Sequence, residues 1–109
     1  MKDEILMTTQ DQFLDYKIKK TLGVVFGNTV RSRNAMSGMI AGFKMVVGGE
    51  VKGYTKAIHL ARDEAKQRMV EEALEMGATG IVCVRFTVSE ILGRCVEVLA
   101  FGTAVVLEK

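Results

Sequence analysis

Two consecutive segments near the C-terminal end constrain the fold more than any other feature. Residues 80–92 (Gly-Ile-Val-Cys-Val-Arg-Phe-Thr-Val-Ser-Glu-Ile-Leu) and 95–107 (Cys-Val-Glu-Val-Leu-Ala-Phe-Gly-Thr-Ala-Val-Val-Leu) are dense in β-branched residues, and Gly93-Arg94 between them predicts a two-residue hairpin turn. That turn sets Leu92 opposite Cys95, Phe86 opposite Phe101 and Val82 opposite Val105. One face then carries Val82, Val84, Phe86, Val88, Leu99, Phe101 and Val105, and the other Ile81, Cys83, Ile91, Val96, Val98, Ala100, Ala104 and Val106. An antiparallel hairpin that is apolar on both faces needs cover on both. One helix covers only one, so the pattern predicts that subunits of a homo-oligomer stack on each other.

Upstream, residues 4–9 read as a short strand and Gln10-Asp11-Gln12 as a polar turn. Residues 16–31 alternate with period two: Ile18, Leu22, Val24, Phe26 and Val30 form one face, and Lys17, Lys19, Thr21, Gly23 and Gly27 the other. The two glycines predict strand curvature, a bulge or the close approach of another backbone. Residues 35–47 read as a short helix ending at Gly48-Gly49. The clearest helix spans about 51–76, where Tyr54, Ala57, Ile58, Ala61, Ala65, Met69, Ala73 and Met76 form a stripe of mostly small residues suited to a sheet. Leu60, Val70 and Leu74 lie on its other side and are expected to touch a neighbouring subunit.

The 109 residues suit one domain spanning 1–109, and no linker divides them. Fifteen Lys+Arg against thirteen Asp+Glu leave a charge of +2, short of the basic excess of a nucleic-acid-binding domain. A mean hydropathy of +0.20 is high for a small soluble protein and again points to subunit contacts. The N-terminus has acids where a signal peptide carries basic residues, and the apolar stretch 35–49 is too short for a bilayer. A cytoplasmic protein is expected, with its two cysteines as free thiols.

Few residues advertise chemistry. Cys83 and Cys95 are the natural ligands for a soft metal, but the hairpin register separates them by on the order of 30 Å and puts them on opposite faces. They can share a site only between subunits; the alternative role for each is a small buried hydrophobe. Met36 and Met39 offer thioethers or simply fill gaps in an apolar helix. His59 has Asp63 one helical turn later, as a two-ligand half-site or a surface pair. Glu71, Glu72 and Glu75 crowd a helix C-terminus, where the dipole disfavours negative charge, and want cations from Arg68 or another chain. Glu90 and Glu97 are expected to face each other across the hairpin, relieved by a cation, by Arg85 or Arg94, or by solvent. Arg31 and Arg33 form a small basic loop for an anion or for salt bridges. No nucleophile elbow, HExxH, phosphate loop or GxGxxG occurs, and a single histidine limits acid–base catalysis.

The ordered blocks Gly23-Val-Val-Phe-Gly-Asn28, Val47-Gly-Gly-Glu50, Gly53-Tyr54, Ala61-Arg62, Met76-Gly77-Ala78 and Phe101-Gly-Thr-Ala-Val105 resemble the YbjQ-like family, named for heavy-metal binding. The resemblance covers residues 5–106. It implies a prokaryotic α+β subunit of the dodecin-like kind, an antiparallel sheet packed by one long and one short helix, assembled as a ring-shaped homopentamer with no established catalytic role. After Gly80-Ile-Val this chain departs from the pattern: Cys83-Val-Arg85-Phe-Thr stands where members commonly carry a glycine and then alternating acids, so a metal site built on those acids would be missing. The expectation is a non-enzymatic homo-oligomer that binds a soft metal ion or small ligand at subunit interfaces, with Cys83, Cys95, His59, Glu71, Glu72 and Glu75 as metal candidates. The alternatives are a structural ring without ligand and, third, an enzyme whose site is shared between subunits.

Overall fold

A computed structural model describes residues 5–32, 50–91 and 95–109, with side chains for 5–31, 58–90 and 95–109. Along the chain come β1 (Leu6–Met7), β2 (Lys17–Ser32), α1 (Glu50–Glu75), β3 (Gly80–Ile91) and β4 (Cys95–Glu108). The short helix expected over 35–47 lies outside the described residues. The class is α+β, but the sheet is mixed rather than antiparallel. Its strand order is β1-β3-β4-β2, with β3·β4 and β4·β2 antiparallel and β1 parallel to β3. The chain leaves β1 at one edge, forms β2 at the other and returns through α1, so β3 runs in the direction of β1.

Small residues on one helical stripe let α1 sit low on β2 and β4. Ala61, Ala65, Met69 and Ala73 are buried there against Val25, Ile81, Val84, Val98, Ala100 and Ala104. The helix ends at Gly77, whose φ of 86° favours glycine. Gly77 N–H then bonds Leu74 O (3.0 Å) and Ala78 N–H bonds Ala73 O (3.0 Å), which satisfies two carbonyls of the last turn. Leu60 and Leu74 remain exposed and Val70 packs at the margin of the core.

In β2 the structure decides which of the two faces read from the sequence meets the helix. Val25, Gly27 and Thr29 turn toward α1, and Val24, Phe26 and Val30 point away from it and are exposed. Backbone proximity decides this. A Cβ built on Gly27 would overlap Ala65 O and Met69 N, so the helix backbone rests on the strand at a position only glycine allows. Thr29 Oγ1, next along the same face, donates to Ala61 O (3.2 Å).

The hairpin register also differs. Ile91 rather than Leu92 stands opposite Cys95, and Leu92 lies outside the described residues. A bulge between Val82 and Arg85 then adds one residue to β3. Arg85 therefore faces Phe101, Phe86 faces Ala100, Val82 faces Thr103 and Gly80 faces Val105. Phe86 and Val88 move to the α1 side of the sheet, and Glu97 lies opposite Ser89 instead of Glu90, so the expected like-charge pair does not form. Glu97 instead accepts from Asn28 Nδ2 (3.1 Å).

Gly27→Ala is expected to push α1 off β2 and to lower stability by about 3 kcal/mol, the upper range for an overpacked core. Urea unfolding of the variant beside the unaltered protein measures this.

Candidate functional site

The bulge that shifts the register also builds a cavity. Cys83 occupies the extra position with φ of 57°, the one positive-φ non-glycine among the described residues. With the strand kinked there, two successive amides turn toward the N-terminal segment: Cys83 N–H bonds Gln10 O (2.9 Å) and Val84 N–H bonds Thr8 O (3.0 Å). Arg85 Nη1 closes the other side by donating to Thr9 O (2.8 Å) and Val84 O (2.9 Å). A solvent-open cavity of about 650 Å³ results, lined by Thr9, Gln10, Asp11, Gln12, Cys83 and Arg85. Its lining residues carry one thiol, one hydroxyl, one carboxylate, two amides and one guanidinium. One guanidinium and one carboxylate balance in charge, so the lining suits a small polar ligand, and the guanidinium opposes a bare cation.

The sequence pointed to Cys83 but not to the rest of this lining. A left-handed backbone needs glycine for steric reasons, and cysteine here bears that cost. Cys83→Gly is accordingly expected to raise stability by about 1 kcal/mol, read as a shift in the urea midpoint.

The other metal candidates do not gather here. Cys95 sits at the start of β4, opposite Ile91 and Ser32. It lies seven positions along β4 from Gly102, beside the bulge, or roughly 23 Å at the strand rise. Both thiols are free and half-buried. His59 is exposed on α1, and its Nδ1 lies 3.1 Å from Arg62 Nη2, so its neighbour is Arg62 rather than the expected Asp63. Glu71 accepts from Gln67 Nε2 (3.4 Å). Glu72 Oε1 accepts the backbone N–H of Phe26 (2.7 Å), a strand amide rather than the expected cation. Glu75 is exposed at the helix end. Among the described residues, no three of His, Cys, Asp and Glu converge in one chain as a metal site requires.

The expected cation for the glutamates is engaged elsewhere. Arg68 Nη2 bonds Glu64 Oε2 (3.1 Å), and its Nη1 donates to Asn28 O (2.7 Å). Arg31 Nη2 pairs with the other oxygen of Glu64, which settles the role of Arg31 as an ion-pair partner; Arg33 lies outside the described residues. The Arg31 hydrogen bond, opposed in part by desolvation and aided by the charges of Arg31 and Arg68, holds the Glu64 carboxyl below the usual carboxylate range. A lowered folded-state value gives stability that is complete above the ordinary carboxylate range and is lost as pH falls through the folded value. The stability advantage over Glu64→Gln should thus be constant near neutrality and shrink in acid, as thermal unfolding from pH 7 to pH 2 would show.

This geometry defines a class: a small α+β domain in which one long helix crosses a four-stranded mixed sheet and a bulged strand opens a polar cavity. The family model described as "Putative heavy-metal-binding" matches residues 5–108, and the chain belongs to this YbjQ-like family. The UPF0145 protein of Methanococcus vannielii is 45% identical over 105 residues, covering 96% of this chain and all of that relative. Its counterpart from Archaeoglobus fulgidus is also 45% identical, over 96% of this chain and 97% of the relative. A solved structure, a protein of unknown function of the DUF74 family from Pediococcus pentosaceus, shares the fold with a TM-score of 0.63 at 19% identity, over 95% of this chain and 98% of that one.

Proposed function

We propose that the protein is a non-enzymatic, cytoplasmic homo-oligomer, a pentamer in the ring that the resemblance implies, which binds a small anionic ligand or a ligand-borne soft metal ion between subunits. The observation that carries this reading is the apolar sheet surface that α1 leaves uncovered. Val24 is 58% exposed, and Phe26 and Val30 are each 52% exposed, on one face of one strand. Side chains of this size in a row on a sheet mark a protein interaction surface. The Cys83 cavity opens beside the strand at the other edge of the same sheet, so a neighbouring subunit that covers the sheet can complete it. Cys83 supplies a soft donor, Arg85 the positive charge and Asp11 a hydrogen-bond acceptor.

A second reading is an interaction ring without ligand, and the scatter of the candidate donors favours it: Cys83, Cys95 and His59 lie on three separate parts of the subunit.

Native mass spectrometry of protein purified without chelator tests both readings. A pentamer with stoichiometric extra mass, lost in Cys83→Ser while the ring persists, is the expected result. A pentamer of bare mass would favour the ligand-free ring, and a monomer would overturn both.

A further inference from the structure

Two opposite charges line the cavity at the β3 bulge, and they do not pair with each other. Arg85 is anchored through one nitrogen, as Nη1 donates to both Thr9 O (2.8 Å) and Val84 O (2.9 Å). Asp11 lies in the lining segment 9–12, and among the described residues its carboxylate takes part in no ion pair or hydrogen bond. Two charge-assisted bonds to backbone carbonyls hold the guanidinium more firmly than one exposed ion pair does. The arginine therefore stays at the backbone, and the two charges face the cavity apart.

The uncharged groups of the lining are open as well. Among the described residues, no hydrogen-bond partner engages the Thr9 hydroxyl or the side-chain amides of Gln10 and Gln12. The Cys83 thiol is the least polar group present. A volume of about 650 Å³ lies within the range of about 300–1,000 Å³ found for small-molecule sites, and exceeds what a lone ion needs. A ligand that satisfies both charges at once carries an anionic and a cationic group close together. An inorganic anion, a dicarboxylate or a bare metal ion satisfies one of them and meets the other with like sign. A free α-amino acid, with its carboxylate and ammonium on one carbon, matches both.

We propose that the Cys83 cavity binds a free α-amino acid with an uncharged side chain: Arg85 takes the carboxylate, Asp11 takes the ammonium, and the Cys83 thiol faces the side chain. Thr9, Gln10 and Gln12 supply the remaining donors and acceptors. Two charge-assisted contacts of opposite sign fix the orientation of the ligand, and a further charge on its side chain finds no partner in the lining. This inference rests on the reading of the cavity as a ligand site and adds to it the chemical class of the ligand.

Isothermal titration of the native protein at pH 7 with L-methionine, its methyl ester and N-acetyl-L-methionine tests the proposal. The ester keeps only the ammonium, and the acetyl form only the carboxylate. The free amino acid is expected to bind at least about tenfold more tightly than either, the loss that removing one charge-assisted hydrogen bond brings. Asp11→Asn gives up no contact within the fold; it is expected to abolish the preference over the acetyl form and to keep the preference over the ester. Arg85→Gln is expected to do the reverse, with a cooperative thermal transition in both variants. Equal affinities for the three forms, a preference that both variants retain, or no heat from L-methionine, L-alanine and L-glutamine alike overturns the proposal. In that event, extra mass lost in Cys83→Ser by native mass spectrometry leaves the ligand-site reading standing, and bare mass removes it too.

Discussion

Backbone-to-backbone contact between α1 and β2 at Gly27 governs the remainder of the molecule. A helix that rests directly on a strand cannot present large side chains at the crossing, hence the stripe of Ala61, Ala65 and Ala73 with a single long residue, Met69, among them. The same contact decides which face of β2 is inside. Once Gly27 lies under the helix, Val25 and Thr29 must join it, and Val24, Phe26 and Val30 must face out. The apolar residues of β2 that alternate most regularly are therefore the ones that stand exposed on this chain.

Seen from the edge, the helix contributes more than cover. Glu72 and Arg68, four residues apart and so on one side of α1, reach the amide of Phe26 and the carbonyl of Asn28. An unpaired strand edge invites association, and these two side chains occupy it as a strand partner would. Arg68 also shares Glu64 with Arg31, which ties the edge to the underside of β2. The acidic cluster near the helix end thus has a structural use in part: Glu72 serves the sheet.

At the opposite side of the sheet, one inserted residue has three consequences. The bulge at Cys83 changes the hairpin register, moves Phe86 and Val88 to the α1 side, and turns two amides to the N-terminal segment, which frames the cavity. Cysteine at a left-handed position departs from the steric rule that favours glycine there. The thiol of Cys83 is thereby placed in the lining of the cavity.

Local pattern was sufficient for the long helix, its glycine stop, the two C-terminal strands and the long β2, because each depends on periodicity or on a single special residue. It was sufficient also for a sheet with more apolar surface than one helix covers, while the α+β class came with the family resemblance. The parallel pairing of β1, the facing of β2, the hairpin register and the cavity depended on contacts between distant residues: Leu6 with Gly80, Gly27 with Ala65, and Gln10 with Cys83. A period-two pattern names two faces without saying which one a helix will meet, and a hairpin register counted from a turn fails at the first bulge. The sequence by itself determined the elements and the excess of apolar surface, since both follow from residue type and spacing; only the tertiary structure decided which surface stays uncovered and which side chains share a cavity, since both are set by where backbones come close.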